Sequence, residues 1–309
     1  MTKIGYFPGC SLHGLSREYE ESLKAIVAGL DTELVEVDDW SCCGASSAHG
    51  TSHLLAVTLP ARNLAIAESQ GLPEVLAPCA ACYARLASAR HEIEGDTDLA
   101  GHVNRILVRD FKNTVKVRSI LEVLKGQVAT IKAKATNPLK DLKVACYYGC
   151  LLVRPVEVTG GYDDPEDPSS MEDICKAAGA VPVKWNRRLD CCGGGMSMSR
   201  TGSVVRLSAA ILKDAKAAGA DAVVVACPMC HSNLDFRQKA MQQRGAWEGD
   251  MPVLFLTQVV GLSMGIDPKT LGMGRHFVST DSVMARTAGT GSGAGTGTNK
   301  ATAVAGEVG

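Results

Sequence analysis

Two adjacent cysteines followed by glycine, Cys42-Cys43-Gly44, recur later in the chain as Cys191-Cys192-Gly193. Each pair stands between a lone upstream cysteine and a downstream C-x2-C. The first set is Cys10, Cys42, Cys43, Cys79 and Cys82, and the second is Cys150, Cys191, Cys192, Cys227 and Cys230. Ten of the twelve cysteines thus follow one design twice, C-x31-CC-x35-C-x2-C and C-x40-CC-x34-C-x2-C. Any fold for this chain has to gather five thiols from three separate stretches, and to do so in each half.

Whether such a set is a disulfide framework or a metal site depends on the compartment. The start, Met1-Thr2-Lys3-Ile4-Gly5, has no apolar leader, and no run reaches the roughly eighteen apolar residues of a membrane helix. The expectation is a soluble, cytoplasmic protein without a membrane span. Thiols there stay reduced, which moves a dense cysteine pattern toward metal binding or redox chemistry. A formal net charge of −1 and the lack of a Lys/Arg block exclude a nucleic-acid partner read through its phosphates.

The length of 309 residues predicts about two domains. Residues 3–7 read as a strand running into Pro8-Gly9-Cys10. The positions Leu15, Tyr19, Leu23, Ile26, Val27 and Leu30 then predict a helix over 13–30. A strand at 33–37, the cysteine-pair loop, a helix at 52–70, a strand at 74–77 and a helix opening at Cys79 follow, and residues 99–135 read as helical pieces interrupted near 112–117. The second half repeats this order: strand 142–147, helix 170–178, strand 181–185, the second pair, helix 201–218, strand 222–226, a helix from Cys227 to 244 and a last strand at 253–256. Asn137-Pro138 marks the boundary, because proline disfavours helix in the residue before it. The fold class is α/β: two tandem pseudo-repeats, each a small, mainly parallel sheet with flanking helices, the cysteines lying at strand carboxyl ends. The division is 1–136, 137–265 and a tail, 266–309, expected to be disordered.

Cysteine thiolates hold iron-sulfur clusters, and a C-x2-C at a helix start offers two of them with helix-terminal amides nearby. Zinc is the alternative and stays open for one half, since four thiolates in a tetrahedral array satisfy it. The fifth thiolate is surplus to a structural zinc site.

With these ten residues, and with Gly44 and Gly193-Gly194 behind the pairs, the chain resembles the CCG-domain family of the heterodisulfide reductase B-type subunit over roughly residues 3–265. The resemblance implies two noncubane [4Fe-4S] clusters, one held by each set of five cysteines, and catalysis by all ten through the bound clusters. It further implies reduction, or reversible formation, of a disulfide lying between the clusters. The partners it implies are a ferredoxin-type protein (the C-type subunit), a flavoprotein (the A-type subunit) and the disulfide substrate. Two alternatives share the motif: a related complex acting on another disulfide or protein-bound sulfur, and an electron-transfer or zinc-bearing scaffold subunit of another oxidoreductase, such as one acting on lactate, glycolate or succinate.

Other residues carry weaker signals. His49, His53 and His231 lie near the motifs and are read as surface or cap residues, with proton donation to a leaving thiolate as the functional alternative. Lys184, Arg187 and Arg188 are a solvated basic loop or an anion-binding one. Trp40 and Trp185 precede the pairs and would shield the sites from water. Cys175 falls on an apolar stripe, and Cys146 is close enough in sequence to Cys150 to lie near the second set. Gly289-Thr290-Gly291-Ser292-Gly293 follows no strand and is a low-complexity decoy for a nucleotide loop.

Overall fold

The computed structural model describes residues 2–45 and 47–287. Strands β1 (Thr2–Tyr6), β2 (Thr32–Glu36), β3 (Glu74–Ala77) and β4 (Lys116–Ser119) form one sheet in the order β2-β1-β3-β4. Strands β5 (Lys143–Tyr147), β6 (Val181–Pro182), β7 (Ala222–Val225) and β8 (Val253–Phe255) form a second in the order β6-β5-β7-β8. All neighbours are parallel. The two sheets are the same topology written twice. Both are covered by helices, which is why a central strand such as Ala222-Val223-Val224-Val225 is apolar and buried at every position.

In each sheet the chain runs outward one way from the first strand and the other way from the third. The loops leaving β1 and β3, or β5 and β7, therefore part company and leave a crevice at the strand carboxyl ends. Both cysteine sets sit at such a switch point.

The halves are joined by an exchange of helices. The helix Arg17–Gly29, near the start of the first half, packs on Leu256–Ser263, which follows β8. The helix Ser170–Ala177 of the second half packs on Ile120–Lys125, which follows β4. Ser22 Oγ and Thr257 Oγ1 share a buried hydrogen bond of 2.7 Å across the first of these contacts. One continuous apolar core results.

Several expectations are corrected. The helix expected over 13–30 is two, Gly9–His13 and Arg17–Gly29, broken at Gly14, so Leu15 projects into solvent at 93% exposure. Residues 116–119 are a strand, β4: Lys-Val-Arg-Ser is too short and too charged to show a period, and pairing with β3 makes it one. The strand expected to reach Trp185 ends at Pro182, and its last ladder bond is from Val183 N to Val144 O (2.9 Å). The helix expected from Cys227 to 244 divides into Pro228–Leu234 and Gln238–Gln243, because the Asp235 carboxylate turns aside to accept from the amides of Phe277 (2.8 Å) and Val278 (3.1 Å). The tail is not disordered from 266. It forms a turn at Met273–Arg275 and a helix at Asp281–Thr287, with Leu271, Met273 and Val283 buried. Residues 288–309, including the glycine-rich decoy, lie outside the described residues.

Candidate functional site

Local backbone chemistry presents each thiol. In the first half Cys10 lies just after β1, Cys42 and Cys43 lie in the loop after β2, and Cys79 caps the helix Ala80–Gly95, which carries Cys82 in its first turn. The second half matches it: Cys150 follows β5, Cys191 and Cys192 follow β6, and Cys227 caps the helix Pro228–Leu234 with Cys230 in its first turn.

The thiols converge. Cys43 Sγ and Cys82 Sγ are 3.3 Å apart, and Cys192 Sγ and Cys230 Sγ are 3.5 Å apart. These are contacts between free thiols, not bonds. Cys10 acts electrostatically on Cys42, Cys79 hydrogen-bonds Cys82, and Cys150 hydrogen-bonds Cys191, so all five sulfurs of each half are neighbours in one network. Cys10, Cys42, Cys150 and Cys191 are exposed and the other six are buried. Each set is a cup with two thiols on its open side.

The glycines let the backbone close on sulfur. The amides of Gly44 and Gly193 donate to Cys42 Sγ (3.4 Å) and Cys191 Sγ (3.3 Å), and both glycines have positive φ. At Gly9, with φ +63°, a Cβ would stand 2.9 Å from Cys82 Sγ; at Gly149, with φ +66°, it would stand 3.3 Å from Cys230 Sγ.

Five thiols so close cannot all ionise. Hydrogen bonds from Cys42 and Cys82 pull Cys43 down to about 3, and those from Cys150 and two glycine amides pull Cys191 down to about 6. Bonds to neighbouring thiols, together with burial, push Cys42, Cys82, Cys150 and Cys230 up. A bound cation would release those protons, as ligation by thiolate requires. Reduced sulfurs, amide donors and a cradle that a single methyl group would fill are what an iron-sulfur centre needs, and the residues fit one in each half.

The two sets meet. Cys79 and Cys227, one from each half, hydrogen-bond through their thiols. Tyr19 Oη donates at this junction to Pro78 O (3.1 Å) and Ala226 O (3.4 Å), the residues just before those cysteines. Its ring stacks on Phe255 at 4.2 Å.

Three side chains that sequence reading missed hold the cysteine loops. Asn63 accepts from Ser41 N (2.8 Å) and donates to Ser41 O (3.0 Å), Tyr147 Oη donates to Asp190 O (2.5 Å), and Asn233 donates to Cys192 O (3.2 Å). A buried amide on an otherwise apolar helix face was the available signal for Asn63 and Asn233.

The weaker candidates separate. Cys146 does not join the second set. Strand alternation turns Tyr147 toward those cysteines and Cys146 toward Cys175, 3.9 Å away, both thiols being fully buried. Cys175 is core, as expected. His53 bonds Glu92 at the surface (2.6 Å), and His49 is exposed. Arg187 pairs with Asp190 (2.6 Å), and Arg188 with Asp167 and Glu172, while Lys184 is exposed. Trp185 is buried and donates to Cys146 O (3.1 Å), whereas Trp40 is half-buried and donates to Glu36 (3.1 Å). His231 is not a surface residue: it is buried against Phe255, and burial holds it well below the usual imidazole range.

The profile of the cysteine-rich CCG domain matches residues 4–87 and 144–235, spans that contain all ten cysteines. The chain belongs to the CCG family that includes the heterodisulfide reductase B-type subunit. Among CCG relatives, the 8-methylmenaquinol:fumarate reductase membrane anchor subunit of Wolinella succinogenes is 37% identical over 89% of this chain and 97% of that protein. The B-type subunit of the ferredoxin/F420H2-dependent CoB-CoM heterodisulfide reductase of Methanosarcina acetivorans is 29% identical over 93% of this chain and 97% of that one. A hypothetical protein from Helicobacter pylori shares the CCG chain's fold, with a TM-score of 0.71 at 13% identity, over 90% of this chain and 52% of the other. This chain therefore spans about half of that structure. Among the described residues, no helix is long and apolar enough to cross a membrane.

Proposed function

We propose that this CCG protein is the iron-sulfur, B-type subunit of a heterodisulfide reductase-like complex. Cys10, Cys42, Cys43, Cys79 and Cys82 hold one noncubane [4Fe-4S] cluster, and Cys150, Cys191, Cys192, Cys227 and Cys230 hold the other. The observation that carries the reading is the thiol contact between Cys79 and Cys227, which makes the two sets one paired site. When bound, such clusters supply electrons singly. Cleaving a disulfide consumes two electrons and two protons and yields two thiols, a stoichiometry that suits a pair of one-electron sites. The protein's own part is to hold the sulfurs with the Gly44 and Gly193 amides, to fix the loops through Asn63, Tyr147 and Asn233, and to leave the Cys10/Cys42 and Cys150/Cys191 sides accessible. Electrons reach the pair from a ferredoxin-type partner and a flavoprotein partner.

A second reading is favoured by the relative of highest identity given above, whose name is that of a quinol:fumarate reductase component. In it the same two centres carry electrons between a quinol and a partner that reduces a dicarboxylate, and no disulfide is touched.

Iron, acid-labile sulfide and zinc are to be measured on anaerobically purified protein. About eight irons and eight sulfides per chain, without zinc, are expected for two clusters, while about four irons with one zinc would end the paired mechanism. Cys192→Ser in the reconstituted complex then separates the readings. Disulfide turnover by the wild type that is lost in the variant supports the first, and full turnover in the variant refutes it.

A further inference from the structure

The helix Thr201–Ala217 begins beside an open cleft of about 560 Å³ lined by Arg200, Arg206 and Arg244. We infer that this face docks the acidic surface of an electron-carrier protein, so that electrons enter the chain at the second cysteine set. The inference rests on the heterodisulfide reductase-like reading above and gives its ferredoxin-type partner a place.

The three guanidinium groups have no counter-ion. No carboxylate lines the cleft, and among the described residues none of the three forms an ion pair; Arg206 reaches only Ser203 Oγ, at 3.4 Å. Arg187 and Arg188, by contrast, are matched by Asp190, Asp167 and Glu172. The chain as a whole carries a formal net charge of −1, so these cations are not the overspill of a basic protein. They also stand at the positive end of a 17-residue helix, where the macrodipole disfavours cations. An anionic surface laid on the cleft would relieve both costs.

The repeat supplies an internal control. His53–Ser69 is the counterpart of Thr201–Ala217: both have 17 residues, and both start equally far ahead of their C-x2-C. Counted from the helix starts, Arg200 and Arg206 stand where the first half has Ser52 and Thr58. Counted from the C-x2-C, Arg244 stands where the first half has Asp96. Ser52 and Asp96 cap the helices that follow them, accepting from the amides of Leu55 and Leu99, whereas the Arg200 side chain makes no cap. The same fold is thus built without the arginines, and at Arg200 the second half forgoes a stabilising cap and carries a charge there instead.

The make-up of the face suits a protein rather than a small anion. Met198, just before Arg200, is 95% exposed, and Leu207, next to Arg206, is 37% exposed. Arginine and methionine are enriched where proteins meet, and lysine, which does not line this cleft, is depleted there.

Position makes the partner an electron carrier. Ser208, beside Leu207 on the same helix, donates through Oγ to Cys192 O at 3.3 Å. The short turn Gly194–Met196 leads from the second cysteine pair toward Arg200, and Cys191 is exposed on the open side of that set. Each transfer oxidises the carrier by one electron and reduces the centre held by the second set by one. The contact of Cys79 with Cys227 leads onward to the first set.

The test is titration calorimetry of the oxidised, iron-loaded full chain with an oxidised, acidic ferredoxin that carries two [4Fe-4S] clusters. Saturable binding that weakens as salt rises is expected. Arg200→Glu combined with Arg206→Glu, both at exposed positions, should weaken it by at least about tenfold without changing iron content. Lys132→Glu, exposed on the helix Val128–Lys134, should bind as the wild type does. In stopped flow, the reduced ferredoxin should reduce the double variant at least about tenfold more slowly, while dithionite reduces variant and wild type alike. The proposal is overturned if the ferredoxin does not bind, if the double variant binds as the wild type does, or if Lys132→Glu weakens binding equally. Displacement of the ferredoxin by an equimolar amount of inorganic pyrophosphate at matched ionic strength would overturn it too, because the face would then be a small-anion site. A ferredoxin that binds through the arginines yet never reduces the chain would keep the docking face and sink the reading it rests on.

Discussion

Gly9 and Gly149 show how much of the site is decided by single atoms. Both have positive φ next to a cysteine of the C-x2-C, and the space a Cβ would need at Gly9 is already taken by Cys82 Sγ. Gly9→Ala is expected to lower iron by about half while the second set keeps its share; unchanged iron by elemental analysis would contradict this account of the cradle. Glu18 and Asp235 give a pH signature at the same scale. Burial raises their carboxyls to about 7 and about 6, whereas an unfolded chain releases those protons near pH ~4. The folded state thus binds more protons than the unfolded one across that interval. The stability these groups contribute is complete below pH ~4 and is lost as pH rises through about 7. Denaturant unfolding at a series of pH values should show this decline, and Glu18→Gln should flatten it; an equal slope in the variant would rule the assignment out. At this scale the ten cysteines were legible because spacing repeats. Asn63, Tyr147 and Asn233 were not, because a residue that clamps a loop from another element has no period with it.

At the scale of elements, legibility followed the length of the apolar pattern. The helix His53–Ser69 was read nearly to its ends, with Ser52 Oγ accepting from Leu55 N at its start. β4 was missed because four residues cannot display alternation, and Leu15 was misplaced because Gly14 ends one helix before the next begins. Phe255 ends β8 and stacks on both Tyr19 and His231 with no exposed surface. Phe255→Ala is expected to cost about 3–5 kcal/mol in denaturant unfolding. A loss below about 1 kcal/mol would mean that the stack is not part of the junction's support.

For the whole molecule, the exchange of helices between halves has a thermodynamic consequence. Because each half covers part of the other's core, neither is expected to unfold alone. Melting followed by far-ultraviolet circular dichroism and by the visible absorbance of the bound iron should give coincident transitions. Two separated transitions would show that the halves are independent domains. What the sequence by itself determined was the doubled α/β order, the membership of each five-thiol set and its place at strand ends, since these are encoded in spacing and short-range periodicity. Only the tertiary structure decided that Cys79 touches Cys227, that Cys146 turns away to Cys175, and that Glu18, His231 and Phe277 enclose one cavity. Those contacts join residues that the chain separates widely, and they arise from how whole elements pack. Packing of that kind leaves no repeat in the sequence to be read.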